Sequence, residues 1–596
     1  MSATPSPPRR VDALLVVLFA LAVQLAQQAA LASDPAVLGP IIDGRTFHTD
    51  AVHLLRGDAP AAGLYWQSPW FVWALAGTYR LVGPSPARGL LLQSALAIAC
   101  AALVHALARR LELSRREALV AGAVAAVYGP LLFFASQLIA APLDAAAALL
   151  ALLAAIAAPP ERAPRWHALS GLALGFAAAQ RGTVWPFALW SLAALWRARG
   201  ELGAKGSLSR AGAYVAGAFV ASLPVALGNL RRAGSFTTLT TNAGVNLWLG
   251  NNPDIARTTA ARPGCGWDWI TLEPVRHGVY SSQGRSRWFT QEALRWALEH
   301  PLSALGGTLK KLSDTFNGLE VPRNLDPYGD LARTPFNAAM LGADGLRMPF
   351  GVVLPLAVLG GLALLRDSRA RRVTREVIAF AALNGLGIAL FLPAGRYRLG
   401  LALALVPLAV AGGRELREML RTADPPRALP VALALAAGLF ANLTPRFTGP
   451  DLSRADLLLR AEAHMNAGQF VFAQSVLHGA LAQGRGPADM ADHLDMMSRV
   501  CVGKGNLQCA EESLARAIAL DPRCYDAAGR LGALRLARGD GRGAVDAFER
   551  SARVVPMQPA TWFGLAAARA MAGDAPGAAR ARSVAERLRD AARRAP

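Results

Sequence analysis

Apolar stretches recur eleven times in the first three quarters of this 596-residue chain, and arginine fills every second gap between them. They lie near 12–32, 87–108, 117–134, 138–158, 167–182, 184–197, 211–228, 347–365, 376–394, 397–413 and 428–443. A helix needs about 20 apolar residues to cross a bilayer, so the shorter stretches set an uncertainty of one or two on the count. Arg9 and Arg10 precede the first stretch, and Arg109, Arg110, Arg115 and Arg116 follow the second. Arg162 and Arg165 follow the fourth, and Arg197, Arg199, Lys205 and Arg210 the sixth. Arg366, Arg369, Arg371, Arg372 and Arg375 follow the eighth, and Arg414, Arg417, Arg421 and Arg427 the tenth. Basic loops stay on the cytoplasmic side. The pattern therefore predicts a multi-pass protein with a cytoplasmic N-terminus. The first loop, the large insert 229–346 and the region after the last span are then extracytoplasmic.

Composition agrees. Hydrophobic residues make up 53% and charged residues 17%, below the usual quarter. The net charge of +21 would suggest a nucleic-acid partner in a soluble protein. Here the arginines sit in short loops between apolar stretches, where anionic lipid is their natural neighbour. No nucleic-acid motif occurs and no such partner is expected. Ala- and Arg-rich usage suggests a GC-rich bacterium, so the bacterial inner membrane is the expected location. Five cysteines, Cys100, Cys265, Cys501, Cys509 and Cys524, show no metal-ligand spacing. Cys501 and Cys509 form a disulfide if that region is outside the cytosol, or remain two thiols.

From about residue 450 the chain changes character. Gly505, Gly539 and Gly573 recur at intervals of 34, and Gly468 precedes them by 37. Ala510, Leu514, Ala517 and Pro522 are echoed by Ala544, Phe548, Ser551 and Pro556. Small residues let two helices approach and proline ends the second. This spacing resembles the tetratricopeptide repeat, with an unrelated helical bundle as the alternative. The expected architecture is all-α: about eleven transmembrane helices in residues 1–449, then a periplasmic α-solenoid in residues 450–596. Such arrays bind peptides or proteins in a groove and carry no chemistry, so a protein partner is expected there.

Chemistry is sought in the outer loops. An acid, Asp43, stands just beyond the first apolar stretch in IIDGRTFHTDAVHLLRGD (41–58). A carboxylate beside a membrane is costly unless water, a partner or a reaction needs it. Asp43 is either a catalytic base or a solvated or capping loop acid. Asp50 is a second candidate for base or acceptor positioning. Trp66, Trp70, Trp73 and Tyr79 suit a helix lying in the interface plane, entered at Pro69.

The acid after span one, the aromatic Phe47 four residues on, and the segment YWQSPWFVWALAGTYRLVG (65–83) resemble the GT-C membrane glycosyltransferases. The likeness is greatest to their family 39, protein-mannosyltransferase-like branch. YGPLLFFASQL (128–138), GLALGFAAAQR ending at Arg181, NAGVNLWLGNNP (242–253), EVPRN (320–324) and Arg396-Tyr397-Arg398 follow in the order that branch has. The resemblance spans roughly residues 12–415. It implies a GT-C-like fold and inverting transfer of a sugar from a polyprenyl-phosphate carrier to a glycan, lipid or protein acceptor, with Asp43 as general base. A hydroxyl is a weak nucleophile until a carboxylate takes its proton. The departing lipid phosphate needs a cation, and the arginine fork suits it. Arg396 and Arg398 in FLPAGRYRLG are assigned that phosphate, against snorkelling to headgroups. Arg181 binds phosphate or pairs with an acid. Asn246, Asn251 and Asn252 bind sugar hydroxyls or close turns. Glu320, with Lys310 or Lys311, faces the same cavity or is structural. Family members often carry a glutamate at the outer end of span three, where this chain has Gln137. An amide is neither a base nor a strong ligand, and His48 and His53 are weak metal candidates. No cofactor is expected, although a divalent metal remains open.

Three other readings compete. O-antigen ligases and polymerases also have many spans and outer arginines, but place key residues in a large late loop. A non-catalytic anchor presenting repeats would make Asp43, Arg396 and Arg398 dispensable. A transporter would need polar or broken helices at mid-bilayer, and few acids or lysines interrupt these stretches.

Overall fold

The computed structural model describes residues 10–58, 65–238, 240–260, 264–329, 331, 334–342, 345–422, 428–447, 453–483 and 486–594. Arg9, Arg427, Gly63, Leu64 and the 449/450 boundary lie outside the described residues. Among the described residues every regular element is a helix and none is a strand.

Each of the eleven apolar stretches is helical. Five helices are long and apolar enough to cross a membrane: Val11–Ala30, Pro86–Arg110, Arg199–Ala233, Arg371–Leu390 and Gly395–Arg421. A sixth is completed if Arg115–Ala126 and Gly129–Ala135, bent by 45°, count as one span. Pro130 supplies the bend, since its ring clashes with the carbonyl four residues back and it has no N–H to donate. The other stretches give shorter helices: Ala141–Ala157, Pro164–Gln180, Trp185–Arg197, Phe350–Leu364 and Ala428–Leu443. At 17, 17, 13, 15 and 16 residues, they rise only about 20–26 Å, less than a ~30 Å hydrocarbon core. Prolines at their first turns (Pro142, Pro164, Pro186) set where three of them begin.

The core of this part is rich in alanine. Helices 86–110, 141–157 and 395–422 bury Ala97, Ala101, Ala145, Ala148, Ala402 and Ala404 against one another. Pro164–Gln180 lies so close to Arg199–Ala233 that a methyl group at Gly171 or Gly175 would collide with the Tyr214 or Ala218 backbone. Small residues four apart allow that approach.

The insert folds into seven described helices, from Asn242–Leu249 to Pro335–Ala339. Beyond residue 452 eight helices follow, from Ser453–Asn466 to Ala575–Arg594, each packed on the next. Gly468, Gly505, Gly539 and Gly573 turn the chain at φ +76°, +74°, +80° and +83°. The periodic glycines are thus the left-handed residues of four equivalent turns, a conformation costly for other side chains. The echoed residues Ala510, Leu514, Ala517, Ala544, Phe548 and Ser551 are all buried between helices.

Candidate functional site

Three distant segments converge on Asp43. The chain leaves the short helix Pro35–Leu38 and enters Ile42–Arg56 through Ile42, which sits at φ +49°. A β-branched residue rarely adopts that conformation, and such strain persists only where the surroundings impose it. It sets Asp43 in the first helical turn, where the exposed amide dipoles favour a negative charge. The Gln67 amide donates to Asp43 Oδ1 at 2.8 Å. The Asn324 amide donates to Oδ2 at 2.8 Å, and Arg396 Nη1 donates to the same oxygen at 2.6 Å. Burial pushes the Asp43 carboxyl up, but the Arg396 guanidinium and the Asn324 and Gln67 amides outweigh it and hold it below the ordinary carboxylate range. The group is therefore an anion at neutral pH with both oxygens engaged. Arg396 also donates to the Tyr397 hydroxyl at 3.2 Å, and its Nε is buried without a hydrogen-bond partner among the described residues.

This cluster is the floor of a cavity of about 350 Å³. Arg45, Trp66, Gln67, Arg323 and Arg396 line it from below, and Asn242, Asn246, Trp267 and Asp268 of the insert form one side. Leu458, Glu462, Asp492, Asp495, Met496 and Arg499 of the C-terminal helices close the top. Arg45 pairs with Glu462 at 3.1 Å, Asn466 donates to the Pro40 carbonyl at 3.0 Å, and Cys265 of the insert is disulfide-bonded to Cys524. The C-terminal helices are fastened over the floor rather than hung beside it. Two carboxylates at this seam carry raised pKa values. Asp268 is pushed up to about 6 by burial and the nearby Asp526. Asp492 is pushed up to about 7 by burial and the acids around it, although the Cys265 amide opposes this.

The other candidates separate. Asp50 lines a neighbouring groove of about 1200 Å³, which shares Thr46, Trp66 and Gln67 with the first cavity. Burial raises its carboxyl, partly offset by Arg232 and His53. The groove is apolar along Val72, Trp73, Val220, Leu223 and Leu227, and reaches Arg231 and Arg232 at one end. Arg398 lies two residues from Arg396 on one helix, about 200° around it, and points into the protein. It pairs with Glu320 at 2.7 Å and donates to the carbonyls of Thr315, Asn317 and Leu319. Arg398 and Glu320 form a buried structural pair, so their guanidinium and carboxylate are committed to each other. Arg181 binds Asp144, with Nε at 2.8 Å, and stacks over Tyr397 at 4.0 Å. Asn246 lines the Asp43 cavity. Asn251 donates to the Leu247 and Leu390 carbonyls, and Asn252 to Trp248, Leu249 and Thr258, so both hold turns. Lys311 is fully buried against the carbonyl of Gly250 and the Asn251 amide, and burial lowers its ammonium to about 8. Lys310 lies over the Phe447 ring. Gln137 folds back on the Phe133 carbonyl. His48 meets the Tyr79 hydroxyl at 2.8 Å and His53 meets Asp58 at 3.1 Å, so they form no joint metal set.

The cysteines pair twice, as Cys265–Cys524 and Cys501–Cys509, and Cys100 is buried and free. Asp492 lies beside the first bridge in a group of metal-ligand spacing, but a disulfide presents no thiolate. Gln67, Arg323 and Asn324 carried no assigned role in the sequence, although QSP and EVPRN contain them. Arg231 and Arg232, which open the insert after the stretch 211–228, carried no assigned role either.

No family model and no curated protein sequence matches the chain. Among solved structures it is similar to a crystal structure of MamA at 20% identity over 23% of this chain and 78% of that one, TM-score 0.21. A second MamA structure aligns at 18% identity over 29% of this chain and 87% of that one, also at TM-score 0.21. BtubC from P. vanneervenii aligns at 17% identity over 40% and 89%, TM-score 0.23. Similarity at those scores carries neither fold nor function.

Proposed function

We propose that the chain is a GT-C-like glycosyltransferase of the bacterial inner membrane, transferring a sugar from a polyprenyl-phosphate carrier. In this reading all eleven apolar helices lie in the membrane, the cavity faces the periplasm, and the C-terminal helices are tetratricopeptide-like. Two disulfides in the insert and the C-terminal helices support an oxidising compartment.

The observation that carries the reading is Asp43 itself: an ionised carboxylate fixed by Gln67, Asn324 and Arg396 on the floor of a cavity beside an apolar groove. The groove takes the polyprenyl chain, and Arg231 and Arg232 meet its phosphate. Arg396, with Nε unused, turns toward the same phosphate and lets go of Asp43 Oδ2. That release raises the basicity of a carboxylate otherwise too acidic to be an effective base. Asp43 then takes the acceptor proton. The acceptor oxygen bonds to the anomeric carbon from the face opposite the breaking carbon–oxygen bond, and the lipid phosphate departs with that electron pair. Arginine neutralises the departing charge.

The test is transfer from labelled polyprenyl-phosphate sugars in membranes. Asp43→Asn is expected to lower the rate by about 10²-fold or more. Equal transfer by wild type and Asp43→Asn removes the base assignment, and a glycome unchanged by deletion favours a non-catalytic anchor.

A further inference from the structure

We propose that Asn246, Trp267 and Asp268 form a subsite for a neutral sugar ring on the insert side of the Asp43 cavity, and that the C-terminal helices hold this subsite in place. The inference deepens the glycosyl-transfer reading and rests on it for the choice of ligand. Most polar groups of the upper cavity are already committed. Glu462 pairs with Arg45, and Asp495 with Arg499 and Arg530. Asp492 accepts from the Cys265 amide at 2.7 Å. Against that background, the side chains of Asn246 and Asp268 make no hydrogen bond or ion pair among the described residues, although both are half-buried on the cavity wall. Open to the cavity, both are free to meet the hydroxyls of a ligand. Trp267, next to Asp268 in the chain, lines the same cavity, with the Arg323 guanidinium 5.8 Å from its ring.

A carboxyl, an amide and an indole together are the chemistry of a sugar site. Planar acid and amide groups receive or donate pairs of hydroxyl hydrogen bonds, and the ring covers the C–H face of a pyranose. The cation needed to read a phosphate lies on the floor, so the insert side suits the uncharged part of the ligand. Trp267 and Asp268 ride on the seven-residue helix Cys265–Thr271. That helix is gripped at its first residue from the C-terminal side, by the bridge to Cys524 and by the Asp492 carboxylate on the Cys265 amide. The C-terminal helices thus act as a positioning clamp on the residues that read the sugar.

Ligand-observed NMR on the purified full chain in lipid nanodiscs, with methyl glycosides of the common hexoses and neutral oligosaccharides as probes, tests this directly. Wild type is expected to bind at least one probe. Asp268→Asn, Trp267→Ala and Asn246→Ala should each weaken binding about tenfold while the Cys265–Cys524 bridge still forms. Asn246 lies on a different helix, so a folding defect in the Cys265–Thr271 helix does not remove the test. Displacement of the glycoside by a polyprenyl-phosphate hexose marks the donor's ring as the occupant, and co-binding marks the acceptor's. No binding by wild type, or equal binding by all three variants, overturns the subsite. Binding lost in these variants without any transfer by wild type would leave the subsite standing and sink the transferase reading. Transfer lost in Asp43→Asn with glycoside binding unchanged in Asp268→Asn would do the reverse.

Discussion

Asp43 and the acids above it face opposite electrostatic problems, and their pH responses run in opposite directions. The folded Asp43 carboxyl lies below its ordinary value of 3.8, so its pairing adds stability that is fully present above about pH 4 and is lost as pH falls further. Asp43→Asn should therefore show a shallower fall in melting temperature than wild type between pH 5 and pH 3. Asp492 and Asp268 are raised, to about 7 and about 6. Their ionisation costs more in the folded chain, so stability drops as pH climbs from about 4 through those values. The melting temperature of Asp492→Asn relative to wild type should rise across that window and level off near pH 8. That an acid stands just beyond the first apolar run was legible in the sequence. Its partners were not legible, because they stand 24, 281 and 353 positions away. Asp268 gave no signal at all, since its raised pKa comes from a seam between segments distant in the chain.

Among the elements, the helix that opens with Gly395 separates two arginines that the sequence alone treats alike. Arg-Tyr-Arg places two cations at one helix end, but helical geometry sends alternate residues to opposite faces. Arg396 meets Asp43, and Arg398 is sealed against Glu320. Breaking a buried pair by removing one partner costs about 3–5 kcal/mol. Arg398→Ala and Glu320→Ala should lower the midpoint of unfolding in detergent sharply, whereas Arg396→Ala, which leaves Asp43 the Gln67 and Asn324 amides, should lower it less and also lower transfer. The groove along Arg199–Ala233 gives a complementary expectation. Arg231→Ala and Arg232→Ala should raise the KM for the polyprenyl-phosphate donor with a smaller effect on kcat, measured by initial rates over donor concentration. Among the spans, helix positions followed from apolar runs. Their lengths did not, because prolines decide where a helix starts and hydropathy does not register them.

On the scale of the molecule, the C-terminal helices are part of the site's enclosure. The repeat spacing was visible in the glycines, but the docking over Asp43 was not, since no local pattern encodes the joining of Cys265 to Cys524 across 259 positions. Closing so long a loop is worth about 5–6 kcal/mol in the chain-entropy account. Cys524→Ser should lower the melting temperature and weaken glycoside binding, while Cys100→Ser, remote from the seam, should leave glycoside binding as it is. The order of synthesis gives this bridge a further meaning. Asp43 and the groove leave the ribosome hundreds of residues before the helices that roof them. During that interval the floor lies open and Cys265 has no partner. The chain therefore carries its own delay: the pocket is complete only after residues 453–594 have been made and Cys524 has been joined to Cys265.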